Sequence, residues 1–134
     1  MSWVTNMMLS VSFEDEPLVV ELSDWLRSHG GPHGSTLRGC GYLRDLTSDE
    51  ARWGGRKMPE CTVWAGALNH ADIPALLAKV AEFAWLEPDT VQLFLMDQDD
   101  ICFQVWMVRG GVWRQYAPMD PFEGSGGDAV IAAG

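Results

Sequence analysis

With 134 residues, 47% of them hydrophobic and seven of them Trp, the chain suits one folded domain and is too apolar for disorder. Nineteen acidic against nine basic residues give a net charge of -10. That charge repels phosphate backbones and anionic surfaces, so it argues against nucleic acid and membranes and favours a basic protein partner. No apolar run approaches the roughly 20 residues that cross a bilayer.

The start, "MSWVTNMML", has no basic segment before its apolar run and no small-residue cleavage site. No export signal is expected, and the chain reads as cytoplasmic. Cys40, Cys61 and Cys102 are odd in number and widely spaced, which favours reduced thiols over a disulfide framework.

In chain order, Trp3, Met7, Leu9, Val11 and Phe13 alternate with Val4, Asn6, Met8, Ser10 and Ser12, which predicts a half-buried strand. The acids of "EDE" and Pro17 mark a helix start; Leu18, Leu22, Trp25 and Leu26 then recur at helical spacing until Gly30 and Gly31. Residues 30 to 60 hold a glycine-rich connection, a weak strand around Gly41 to Leu46 and a long polar excursion, "TSDEARWGGRKMPE", of the kind that carries functional loops. "CTVWAGAL" predicts a strand over 61 to 68, with Val63, Ala65 and Ala67 on one face and Thr62, Trp64, Gly66 and Leu68 on the other.

Asp72 is placed to cap a second helix, Pro74 sits in its first turn, and Ile73, Leu76, Leu77, Val80 and Ala84 form its apolar stripe up to the barrier of Pro88. Val91 to Met96, Ile101 to Val108 and Val112 to Tyr116 then read as an antiparallel meander with turns at "DQDD" and "RGG". Residues 117 to 134 lack a period and are expected to form a poorly ordered tail, leaving 1 to 116 as a single domain. The fold expected is α+β: an antiparallel sheet backed by two helices, in the ferredoxin-like βαββαβ order with a C-terminal strand extension.

Several stretches invite a chemical reading. His29 and His33 have the H-x3-H spacing of a metal pair, but glycine ends the helix between them and no C-x2-C completes a zinc set. "GGPHGSTLRGCG" follows a helix and lacks the lysine before Ser35 that a phosphate loop needs. Asp97, Asp99 and Asp100 lack the glycine and glutamate of a calcium loop and fit a hairpin turn, where Asp99 and Asp100 bond the local backbone. No metal or cofactor is therefore expected. Asn69, His70 and Asp72 lie between a strand and a helix, where loop residues often do chemistry, and His70 could pair with Cys61 or Cys102. No nucleophile motif supports that pairing.

Trp53 in "ARWGGRK", next to Arg56, and Trp113 in a possible edge strand are candidate interface anchors, because tryptophan buries much area and keeps an N–H donor. Trp25, Trp64 and Trp106 fit the core better.

The runs "ECTVWAGALNHADI" and "EPDTVQLFLMDQDDICFQVWMVRGGVWRQYAP", with "MSWVTNMML" at the start, resemble an uncharacterised family of small acidic actinobacterial proteins over most of residues 1 to 118. The resemblance implies a single independent domain and no assigned function.

Two functional readings stand. One is a non-enzymatic interaction protein, of inhibitor, immunity or antagonist type, meeting a basic partner through the more acidic second half: residues 69 to 134 carry ten acids and three bases, against nine and six in residues 1 to 68. Its candidate contacts are Trp53, Arg56, Asp97, Asp99, Asp100 and Trp113. The other is a small-molecule binder or enzyme using the loop around His70, with Asn69 and Asp72. A homodimer through the last strand is compatible with either.

Overall fold

The computed structural model describes residues 3–31, 39–47, 56–57 and 59–116. The expected tail from 117 onward, Trp53 and His33 lie outside the described residues.

The chain forms β1 (Val4–Ser12), a 3-10 turn at Phe13–Asp15, α1 (Glu16–Ser28), β2 (Arg44–Asp45), β3 (Cys61–Asn69) and α2 (Ile73–Glu82). A second 3-10 turn at Pro88–Thr90 leads to β4 (Gln92–Asp97), β5 (Gln104–Arg109) and β6 (Val112–Tyr116). All strands join one antiparallel sheet in the order β2-β3-β1-β4-β5-β6. The fold is thus α+β, a six-stranded antiparallel sheet with two helices. With six strands the sheet is richer than the plain ferredoxin-like βαββαβ order, which does not match it as it stands.

The alternation of β1 decides which face is buried. Met7, Leu9 and Val11 are buried, and Leu9 lies opposite Trp64 on one side and Leu93 on the other. Val19, Leu22 and Leu26 of α1 and Leu76 and Val80 of α2 belong to the same core, so both helices lie on that side of the sheet. Each fully buried Leu or Val here contributes about 1.5–3 kcal/mol relative to an exposed one. Trp3 and Phe13 share the parity of the core face, yet at the ends of the strand they are 37% and 42% exposed.

The other face carries Met8, Ala65, Phe94, Val105 and Tyr116 in one row across five strands, reaching Arg44 at the β2 edge. Among the described strand residues, no carboxylate side chain projects on this side, and the charged ones are Arg44, Arg109 and Arg114.

Three boundaries differ from expectation, each for a local reason. The weak strand shrinks to two residues because Asp45 turns the chain: its Oδ1 accepts from the Thr47 amide at 2.7 Å. Pairing with β3 nevertheless continues, since Leu46 donates to the Val63 carbonyl and the Val63 amide donates to Thr47 Oγ1. The second helix stops at Glu82, well before Pro88, and Ala84 lies beyond it. There the Trp85 indole N–H donates to the Val80 carbonyl at 2.8 Å and caps the last turn. The strand expected from Ile101 begins at Gln104, and Ile101 is 97% exposed.

The end of α1 is sealed by the returning chain. Cys40 donates to the Leu26 carbonyl, and Gly30 and Gly39 form an isolated bridge. A Cβ on Gly39 would collide with the Arg27 backbone carbonyl, so this crossing requires glycine. Cys40, Cys61 and Cys102 are all free thiols, respectively buried, half-buried and exposed.

Candidate functional site

Sheet pairing brings two separate groups of candidate residues to one end of the molecule. Val4 pairs with Asn69, Thr5 pairs with Asp97, and the His70 amide donates to the Trp3 carbonyl at 2.8 Å. The Val4 amide donates to Gln98 Oε1 at 2.7 Å. The β3-α2 connection and the β4-β5 turn therefore flank the start of β1, so Asn69, His70 and Asp72 lie near Asp97, Asp99 and Asp100. Between them is an open hollow of about 440 Å³ lined by Trp3, Thr5, Ala71, Asp72, Ile73, Pro74 and Asp97.

Each side chain has a local reason for its position. Asp72 caps α2, its Oδ1 accepting from the Ala75 amide at 3.2 Å, as the sequence predicts. Its own amide donates to the Gly30 carbonyl, which ties this connection to the end of α1. His70 has a φ of 53°, a left-handed conformation that is uncommon for a residue with a side chain.

The turn after β4 is held by its own aspartates. The Asp100 amide donates to the Asp97 carbonyl at 2.8 Å, and the Asp97 amide donates to Asp100 Oδ2 at 3.0 Å. Asp97 Oδ1 also accepts from Thr5 Oγ1 at 2.6 Å. Asp99 and Asp100 are exposed at the tip. Of the two turn residues expected to bond the local backbone, Asp100 does so.

The remaining candidates are dispersed. Trp113 is half-buried on the helix side of β6, and its indole N–H donates to the Leu77 carbonyl at 3.2 Å. Arg56 is exposed in the 30 to 60 excursion. Cys61 opens β3 while His70 follows its end, a separation of about 30 Å along an extended strand. That separation corrects the possible Cys61–His70 nucleophile pair. His29 is the C-cap of α1, its ring stacked 6.1 Å from Trp25 and its Nδ1 2.8 Å from Ser28 Oγ. Among the described residues, no group of three His, Cys, Asp or Glu side chains is placed to hold a metal ion. No helix among them is long and apolar enough to cross a membrane.

Sequence reasoning did not single out Trp3 as a site residue. Its place in the period-2 pattern made it look like core, whereas only its position one residue before the paired strand leaves it exposed. Comparisons with protein-family models, with curated proteins and with solved structures give no match.

Proposed function

We propose that the protein is a non-enzymatic interaction protein, of inhibitor, immunity or antagonist kind, that binds a basic protein partner through the acidic end of its sheet. The observation that carries this reading is that Asp72 and Asp97 line one open hollow together with Trp3, while Asp99 and Asp100 are exposed at the turn that follows Asp97. A basic side chain entering the hollow would meet the carboxylates of Asp72 and Asp97 and an indole beside which a cation is stabilised. The net charge of -10 would speed the encounter.

Affinity purification with the full chain at low salt tests this. The expected result is a specific basic protein whose retention falls at high salt and in Asp99→Lys; recovery of no such protein at low salt overturns the reading.

A second reading, a small-molecule binder or enzyme at the same end, is favoured by the left-handed backbone of His70, since such strain often accompanies function. It requires a ligand-induced thermal shift that His70→Ala abolishes. We also propose that β1 to β4 and the two helices make a ferredoxin-like kernel with β5 and β6 added; the all-antiparallel order β2-β3-β1-β4 supports this.

A further inference from the structure

At the opposite end of β4 and β5, three aromatic residues line a second hollow, of about 330 Å³. Its walls include Phe83, Trp85 and Trp113, and Val108 and the carboxylate-bearing Asp89 are also part of the lining. We infer that this hollow is a binding site for an alkylated ammonium group, that of a methylated lysine side chain.

The aromatic walls are fixed in place. The Trp85 indole donates to Val80 and the Trp113 indole to Leu77, both carbonyls of α2, so two bonds to one helix set both rings. Phe83 meets Trp85 edge to face, with centroids 5.6 Å apart and planes at 74°. With both indole donors turned to α2, the hollow presents aromatic surface rather than N–H groups, which suits a cation better than an acceptor-rich ligand. Outside the hollow, the Phe83 ring also has a cation beside it: Lys79 Nζ, which does not line the hollow, lies 5.3 Å from the ring centroid.

Charge and size narrow the ligand. Asp89 is an exposed carboxylate at the rim, and the chain as a whole is strongly negative. Arg109 donates to the Asp89 backbone carbonyl at 3.0 Å, so the side chain of Asp89 is not spent on that contact. A volume of about 330 Å³ is at the small end of ligand pockets, matching one alkylated ammonium group rather than an extended molecule. Methylation spreads the positive charge over apolar surface and lowers the cost of leaving water, which is why aromatic walls select it over a bare ammonium.

This site is separate from the acidic end and does not depend on that reading. The test titrates the full, ¹⁵N-labelled chain with N-acetyl trimethyl-lysine amide and with its neutral isostere, in which carbon replaces the ammonium nitrogen. The expected result is saturable movement of the Trp85 and Trp113 indole signals, with the cation binding about 3- to 30-fold tighter than the isostere. Asp89→Asn, an exposed change that leaves the fold intact, should weaken the cation and not the isostere; Trp85→Leu should abolish both. Asp99→Lys at the other end should leave the titration unchanged. Equal binding of cation and isostere, or no saturable movement up to the solubility of the probe, overturns the inference.

Discussion

The buried carboxylate of Asp15 accepts hydrogen bonds from the backbone amides of Leu86 at 2.7 Å and Glu87 at 3.1 Å, joining the turn before α1 to the connection after α2. Ser12 Oγ lies 3.4 Å from the same carboxylate. Charge-assisted bonds of this kind are worth about 1.5–3 kcal/mol each, less whatever water can replace. Asp15→Ala is expected to lower unfolding stability by about 3 kcal/mol and Asp15→Asn, which keeps one acceptor, by roughly half as much. Urea titration at constant slope measures both; a loss in Asp15→Ala no larger than an ordinary surface substitution would contradict the clamp.

Ser23 makes a comparable join nearer the chain's start. Its Oγ accepts from the Leu43 amide at 2.9 Å and donates to the Leu43 carbonyl at 3.3 Å, with both residues buried. Ser23→Ala removes both hydrogen bonds to the Leu43 backbone, just before a strand of only two residues. The expected cost is about 1–3 kcal/mol, with faster amide exchange at Leu43 as the local signature. Unchanged exchange there would show that the hydroxyl does not secure this segment.

Burial pushes the Cys40 thiol up from its ordinary 9.0 to about 11, an effect its backbone hydrogen bond only partly offsets. The thiol is neutral in both states below pH 9; between about pH 9 and 11 the unfolded chain loses its proton and the folded chain does not. Stability contributed by this group is therefore complete below pH 9 and declines as pH rises to about 11. Folded protein at neutral pH should lose exposed Cys102 to iodoacetamide and retain Cys40. Mass spectrometry after a short pulse decides the matter, and prompt labelling of Cys40 would refute its protection.

Arg114 bears on self-association. In a two-fold antiparallel pairing of two β6 strands centred on this residue, Arg114 would face Arg114, and like charges directly opposite are unfavourable. The chain is expected to remain monomeric through this edge at low salt, and Arg114→Thr to shift it towards a dimer. Light scattering of the two proteins at matched concentration tests this; a dimer formed equally by both would sink it.

Periodicity made much of this fold legible. β1, β3 and α1 lie close to their expected ranges, and α2 starts where Asp72 predicts, because their apolar residues follow a clean period of two or of about 3.6. The Gly110–Gly111 turn was equally readable, as φ values of 62° and 77° are those that favour glycine in a two-residue hairpin. What escaped were joins made by polar residues across long sequence separations. Asp15 reads as a first-turn helix acid and Ser23 as a neutral interruption of an apolar stripe, yet each is buried against a partner that no local pattern names. The same limit applied to function: Asp72 was visible as a cap and Asp97 as a turn residue, but their shared hollow follows from the pairing of Thr5 with Asp97, which sequence spacing does not encode.

The place of β1 in the sheet also sets the order of events during synthesis. β1 is made before both of its neighbours, β3 and β4, so one edge cannot be fully covered until Asn69 has been added and the other until Asp97 has. At about 5–20 residues per second, the interval from Ser12 to Asp97 lasts roughly 4 to 17 s. Throughout it the nascent chain carries Met7, Leu9 and Val11 on a strand with at least one unpaired edge, making this segment the point at which a chaperone would most affect yield.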